Sequence, residues 1–353
     1  MALINGFSTI KCVASNARLS ISDHDTYDVD YGIAREGDLV LVEAVGDSGA
    51  YNEIENIQGR SMKIFDGQKF IGVIGNRESS KNIVGGVPNE GIKISMSTEL
   101  SLLTNGGIIG ECYDSPSYLG NTLKVKCLGL LEKNGKKLNT IEKLDNYPVS
   151  IKNSPPIILV LGTATDAGKT TLSTKLISTL SKKGMKVGSL KLAGTGCLED
   201  ILLHKDAGAD YSLDFPDVGL PSTYTSSENY KKGIRILIEK MKNEDPDIIV
   251  AELGGDIIWA NIPTLFQMKD IMNYVIGIAL ISSDAISTIA AYDFLQKWKI
   301  DKKIFIFNSP FKNLLASRKR IDFYLNVNSY DSNNYTDINK VLNEILPSHY
   351  KKE

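Results

Sequence analysis

Two rhythms of apolar residues divide the chain. Up to residue 145, apolar positions come in short runs broken by glycine-bearing turns: GDLVLVEAVGD (37–47), SMKIFDGQKFIGVIGN (61–76), GGIIGECYD (106–114) and NTLKVKCLGLLEKNGKK (121–137). Runs of this length between turn residues predict strands. Asp66-Gly67 and Asn134-Gly135 sit between β-rich flanks and predict hairpin turns. The stretch STELSLLTNG predicts a short helix, with Ser97 as its cap and Gly106 at its end. Residues 1–145 are therefore expected to form a small, mainly β domain, with a barrel as one arrangement.

Prolines 148, 155 and 156 interrupt DNYPVSIKNSPP, so 146–156 reads as a linker. From 157 to 353 the rhythm changes. IILVLG (157–162) is apolar at every position before its glycine, as a strand buried on both faces requires. In KTTLSTKLISTLSKKG (169–184), Leu172, Leu176, Ile177 and Leu180 form one helical stripe and Gly184 is the expected cap. Strand-like KVGSLKLAG, DIIVAELGG, YVIGIALIS and KKIFIFNS then alternate with helix-like YKKGIRILIEKMKN and AISTIAAYDFLQKW, and DINKVLNEIL closes the chain with a helix. Strands alternating with helices predict an α/β domain with a parallel sheet covered on both faces.

Composition narrows the function classes. The 353 residues are 42% hydrophobic and 23% charged, with a formal net charge of −2. That balance offers no general attraction to nucleic acid or an anionic membrane. No apolar run reaches 18 residues and no secretory leader is evident, so a cytoplasmic protein is expected. Cys12, Cys112, Cys127 and Cys197 lie far apart without a C-x-x-C pair, which argues against zinc and disulfides. His24, His204 and His349 form no cluster and read as solvated or core residues.

Chemistry enters between the first strand and helix of the second region. Gly162, Thr163, Ala164, Thr165, Asp166, Ala167, Gly168, Lys169, Thr170 and Thr171 are read as the phosphate-binding loop G-x-x-x-x-G-K-[ST], with Gly162 as its first glycine. Backbone N–H groups and a helix N-terminus would cradle an anion there. Lys169 would neutralise the β and γ phosphates, and the Thr170 hydroxyl would ligate Mg²⁺. Glu252 ends the apolar strand in PDIIVAELGGD and is a second metal-site candidate, with Asp200 or Asp206 as a further carboxylate. Lys191 ends the second strand, expected beside the first, where it would meet an anionic substrate or the transferring phosphoryl group. Thr195 and Gly196, and Ser222, Thr223 and Tyr224 in the polar loop 214–230, are candidate substrate contacts. Asn308, at a strand end, is a candidate reader of a purine edge.

These residues carry a resemblance. Residues 156–345 resemble dethiobiotin synthetase and its phosphate-loop relatives. That family's loop reads G-T-x-T-x-x-G-K-T, matched by Gly162, Thr163, Thr165, Gly168, Lys169 and Thr170. Lys191 in KLAGTG matches its lysine after the second strand; Glu252, Gly254 and Gly255 match its acid–glycine signature; Asn308 matches its late asparagine. A looser similarity is to the two-domain family known as domain of unknown function 1611. The resemblance implies an ATP- and Mg²⁺-dependent synthetase or kinase-like enzyme that activates a small-molecule carboxylate by γ-phosphoryl transfer, with a homodimer as the implied assembly. Lys169, Lys191 and Glu252 are then the expected catalytic residues. The alternative is an NTP-driven switch acting on a protein partner, since one phosphate loop serves both classes.

Overall fold

In the first region, alternate residues of each long strand serve different apolar layers. The structure, a computed structural model, describes residues 2–7, 10, 12–22, 25–47, 49–147 and 149–346. Pro148 of the expected linker, His24 and His349 lie outside the described residues. Five strands form a closed circuit: β1 (Leu39–Val45), β2 (Lys69–Ile74), β3 (Glu99–Leu102), β4 (Ile108–Asp114) and β5 (Lys124–Lys133). β5 pairs with β1 and β1 with β2, both antiparallel. β2 then pairs in parallel with β4, and β3 joins β4 back to β5. Val40, Val42, Phe70, Leu102, Ile109 and Val125 belong to one buried cluster drawn from all five strands. Leu39, Leu41, Ile71, Val73 and Ile108 point the other way, into a cluster shared with Ile4, Val13 and Tyr27 of the N-terminal segment. Strict alternation thus gives β1 and β2 two cores, one on each face.

Two local expectations fail here. The helix expected at 97–106 is the strand β3, whose Leu100 and Leu102 are buried and whose backbone is paired on both sides. A helix as short as 97–106 is marginal in isolation, and the two ladders that close the circuit override the helical preference of Leu and Glu. Asp66-Gly67 makes a turn but not a hairpin. Its preceding strand, Ser61–Lys63, pairs with Glu53–Glu55, while β2 pairs with β1. The Asp66 carboxylate instead accepts the Gly46 N–H at 2.6 Å. Asn134-Gly135 does turn a hairpin, with φ of 54° and 70° and Glu132 opposite Lys137.

Compactness does not follow the sequence boundary alone. One unit comprises Met1–Pro148 with Thr195–Glu199 and Asp214–Ile236; the other comprises Val149–Gly194, Asp200–Leu213 and Leu237–Glu353. In the first unit, polar contacts seat the two late segments. Glu55 accepts the Leu198 N–H at 2.8 Å and the Cys197 thiol at 3.1 Å. The Asn16 amide donates to the Gly196 carbonyl at 3.1 Å, and the Ser222 hydroxyl donates to the Asn76 carbonyl at 2.7 Å. Arg18 pairs with the fully buried Asp214 and, at 2.9 Å, with Asp217.

The second unit is built on β6 (Ile157–Gly162), α1 (Lys169–Lys182), β7 (Val187–Ala193), α2 (Leu198–Asp206), β8 (Tyr211–Asp214), α3 (Ser227–Asn243), β9 (Ile248–Leu253), β10 (Val275–Ser282), α4 (Ala285–Lys297), β11 (Ile304–Asn308), α5 (Leu314–Leu325), β12 (Ser329–Asp331) and α6 (Tyr335–Ile345), of which Leu198, Glu199, Asp214 and residues 227–236 belong to the first unit. Its sheet runs in the order β8-β7-β9-β6-β10-β11-β12, with parallel pairing from β7 through β12. The fold is α/β with a parallel sheet. Leu172, Leu176, Ile177 and Leu180 of α1 pack with Ile158, Val160 and Val250 of the sheet and with Val341 and Leu342 of α6. Gly184, at φ 78°, follows α1 as expected. No helix among the described residues is long and apolar enough to cross a membrane.

Replacing Arg18 by Ala would leave Asp214 buried without its cation, a loss of about 3–5 kcal/mol. Urea denaturation should show that loss for Arg18→Ala and a partial recovery in Arg18→Ala with Asp214→Asn. Equal stability of Arg18→Ala and wild type would show that the pair does not hold the 214–236 segment.

Candidate functional site

β6 delivers the chain to a loop that begins at Gly162 and ends at Gly168. Five residues, 163–167, separate these glycines, one more than G-x-x-x-x-G-K-[ST] allows, so the loop is a lengthened form of that pattern. Within it, Asp166 is exposed and held at φ 62°. Gly168 sits at φ 107°, where a side chain would be strained, and a Cβ there would also come within 2.8 Å of Pro310. Thr163 accepts the Ser283 N–H at 3.0 Å, tying the loop to the residues that follow β10. α1 begins at Lys169, directly after the turn, so its unpaired N–H groups and positive dipole end lie at the loop.

Lys169 is buried, and its ammonium donates to the carbonyls of Ala164 (2.6 Å) and Gly255 (2.9 Å). Burial lowers its pKa from the ordinary lysine value, against the opposing influence of Glu252. A Cβ on Gly162 would fall 2.7 Å from the Lys169 side chain, so that glycine gives the lysine its path. Thr170 stands at the first turn of α1. Its hydroxyl lies 2.9 Å from Glu252 Oε1 and 3.3 Å from Asp200 Oδ1.

Sheet register explains the gathering. Glu252 of β9 lies opposite Val160 of β6 on one side and Lys191 of β7 on the other. The second strand is therefore not beside the first, as expected; β9 lies between them. Lys191 nevertheless reaches the site: it forms a part-buried ion pair with Asp200, two residues into α2. Burial pushes the Asp200 carboxyl up, but Lys191, His204 and the Thr170 hydroxyl outweigh it and hold the pKa below the ordinary aspartate value. Gly254 lets the chain after β9 pass the end of β7: a Cβ there would lie 2.6 Å from the Ala193 carbonyl.

The structure separates the two aspartates. Asp200 touches Thr170 and Lys191, whereas Asp206 ends α2 on the exposed side. It also brings in a residue read from sequence as ordinary. His204 is completely buried, its Nε2 is 3.2 Å from Glu252 Oε2, and its Nδ1 has no hydrogen-bond partner among the described residues. The available signal was its four-residue spacing from Asp200, which places both on one helix face.

Asn308 is 2% exposed at the end of β11; its amide donates to the Tyr330 carbonyl at 3.2 Å, while Oδ1 is buried without a partner among the described residues. Thr195 and Ser222 face one another in an isolated bridge within the first unit, and Ser222 and Thr223 are fully buried there. The Tyr224 carbonyl accepts the Asn76 amide at 3.1 Å.

The hydroxyl of Thr170 and the carboxylates of Glu252 and Asp200 form an all-oxygen donor set, the type that suits a hard cation such as Mg²⁺. Lys169 and Lys191 add two positive charges beside it, which suits an anionic ligand.

No protein-family model and no curated protein matches the chain. Among solved structures, the signal recognition particle receptor FtsY from Elizabethkingia anophelis is 14% identical, with 50% of this chain and 60% of that one covered and a TM-score of 0.30. The signal recognition particle 54 kDa protein from Aeropyrum pernix, solved with GDP, is 19% identical, covering 60% of this chain and 51% of that one, with a TM-score of 0.35. Chloroplast FtsY from Physcomitrella patens is 14% identical, covering 59% and 72%, with a TM-score of 0.36. The chain thus spans about half to three-fifths of the first two proteins.

Asp200→Asn should weaken Mg²⁺-dependent nucleotide binding by about 10-fold or more, the scale of one charged hydrogen bond. Asp206→Asn should leave it unchanged. Fluorescence titration with a labelled nucleotide checks both; equal effects would remove Asp200 from the site.

Proposed function

We propose that this chain is an ATP- and Mg²⁺-dependent enzyme that activates a small-molecule carboxylate, or a similar oxygen, by γ-phosphoryl transfer. One observation carries the reading: Thr170 contacts both Glu252 and Asp200 at the foot of the loop helix, with a second lysine, Lys191, held against Asp200. A site that only gripped a nucleotide has its cation in Lys169. Lys191 supplies a further one for a substrate carboxylate or for charge developing during transfer.

Thr170, Glu252 and Asp200 would hold the metal, and Lys169 would leave its carbonyl partners for phosphate oxygens. With Mg²⁺, ATP would supply a phosphoryl group that turns a carboxylate oxygen into part of a phosphate leaving group, which an amine attacking the acyl carbon would release as phosphate. His204 holds the outer oxygen of Glu252, leaving the inner one toward Thr170. The role of the chain is positioning and charge stabilisation, since phosphoryl transfer asks little covalent work of it. Asn308 supports ATP: with its amide engaged by Tyr330, it offers an acceptor oxygen, which suits the 6-amino group of adenine. The dethiobiotin synthetase resemblance belongs to this proposal, as the mechanism class in which an activated carboxylate-like oxygen is attacked by an amine.

ADP release tests the proposal, with wild type, Lys169→Ala and Lys191→Ala assayed with and without a small-molecule cell extract. The extract should raise wild-type turnover manyfold. Lys169→Ala should lose about 100-fold or more, and Lys191→Ala should lose stimulated turnover while still binding nucleotide. Slow, Lys169-dependent turnover indifferent to the extract would overturn the synthetase reading in favour of a nucleotide-driven switch.

A further inference from the structure

The first unit contains a cleft of about 370 Å³ that the nucleotide site does not use. Its wall includes Arg35 and Glu36 from the turn before β1, Asn139 and Asp145 from the segment after β5, and Asn229 and Lys232 from the start of α3. Most of its polar groups are engaged within the protein. Asn76 donates to the Tyr224 carbonyl and accepts the Val87 N–H. Asn139 donates to Asp38 and to the Glu36 carbonyl and accepts two N–H groups. Lys232 pairs with Asp145 and Glu228, and Glu142 with Lys136.

Two neighbouring groups are left. The Arg35 guanidinium has one contact, with the Asn89 carbonyl at 3.4 Å, and no ion pair among the described residues. Glu36 has one oxygen engaged: Oε2 accepts the Thr225 hydroxyl at 2.9 Å, and that hydroxyl accepts the Asn229 amide at 3.4 Å. Glu36 Oε1 is buried with no hydrogen-bond partner among the described residues. A buried carboxylate oxygen without a donor is costly, and such groups in folded proteins call for a functional explanation. Burial pushes the Glu36 carboxyl up to about 7, against the Thr225 hydrogen bond.

An exposed guanidinium without an ion pair among the described residues and a carboxylate oxygen without a donor line the same cleft, and together they are complementary to a zwitterion. We propose that this cleft binds an α-amino acid, with the ligand carboxylate on Arg35 and its ammonium on Glu36. Arg suits a carboxylate through its forked donors. The volume falls within the range of small-molecule sites, roughly 300–1,000 Å³. The same chemistry occurs in a free amino acid and in a short peptide whose ends lie close together. The site is separate from the nucleotide loop, so its fate does not depend on the reading of Lys169.

Calorimetric titration of the full chain with each of the common L-amino acids, at a pH above the Glu36 value, tests this. At least one should bind, and its carboxamide and its deaminated acid should each bind about 10-fold more weakly or worse. Arg35→Ala and Glu36→Gln should each lower its affinity about 10-fold with melting temperatures maintained, and Lys169→Ala should keep it. A dipeptide that binds more tightly than the amino acid, with the same sensitivity to both substitutions, would support the site and assign it to peptides. Absence of binding by every amino acid, or binding indifferent to Arg35→Ala and Glu36→Gln, would overturn the proposal.

Discussion

Charge neutralisation at one end of a buried sheet is the constraint on which the candidate site depends. Glu252 is 2% exposed, and Lys191 and Lys169 are each 6% exposed. None of these could be carried so deep alone, because an isolated charge costs several kcal/mol to desolvate. They are carried together. Asp200 holds Lys191, Thr170 links Asp200 to Glu252, and backbone carbonyls hold Lys169. The parallel register that sets Val160, Glu252 and Lys191 side by side is what allows this balance. Such a network stores little net stability; its value lies in presenting oxygen donors and ammonium groups in one place.

The β-rich unit poses a different physical problem. Its strand circuit is made of residues close in sequence, yet its polar seams reach to residues 195–199 and 214–236. Glu55, Asn16, Arg18 and Asn76 each supply a hydrogen bond or ion pair to those later segments. Contacts of such sequence separation cost loop-closure entropy, so the seams are completed only after much of the chain has been made. Gly106 shows how tight one seam is: a Cβ there would lie 2.4 Å from the Gly196 carbonyl.

Much of the second unit was legible in the sequence because its signals are local. A fully apolar strand, a glycine-bearing loop and an amphipathic helix follow one another from Ile157 to Lys182, and each is read over a few residues. What escaped depends on partners distant in sequence. Strand order cannot be read from spacing, so Lys191 was expected beside β6 and is separated from it by β9. The role of His204 needs Glu252, 48 residues away, and the choice of Asp200 over Asp206 needs Thr170. Glu99–Leu102 has helix-forming residues, and only its two neighbouring strands make it a strand. The loop was recognised by its residue types, while its additional residue is visible only by counting from Gly162 to Gly168.

The central question is whether Thr170, Asp200 and Glu252 hold a metal together with a nucleotide. Calorimetric titration of ATP into the full chain, once with Mg²⁺ and once with EDTA, asks this without presuming any substrate. The account predicts saturable binding with Mg²⁺ that weakens about 10-fold or more when the metal is withdrawn. Binding of equal strength in both conditions, or none in either, would contradict it.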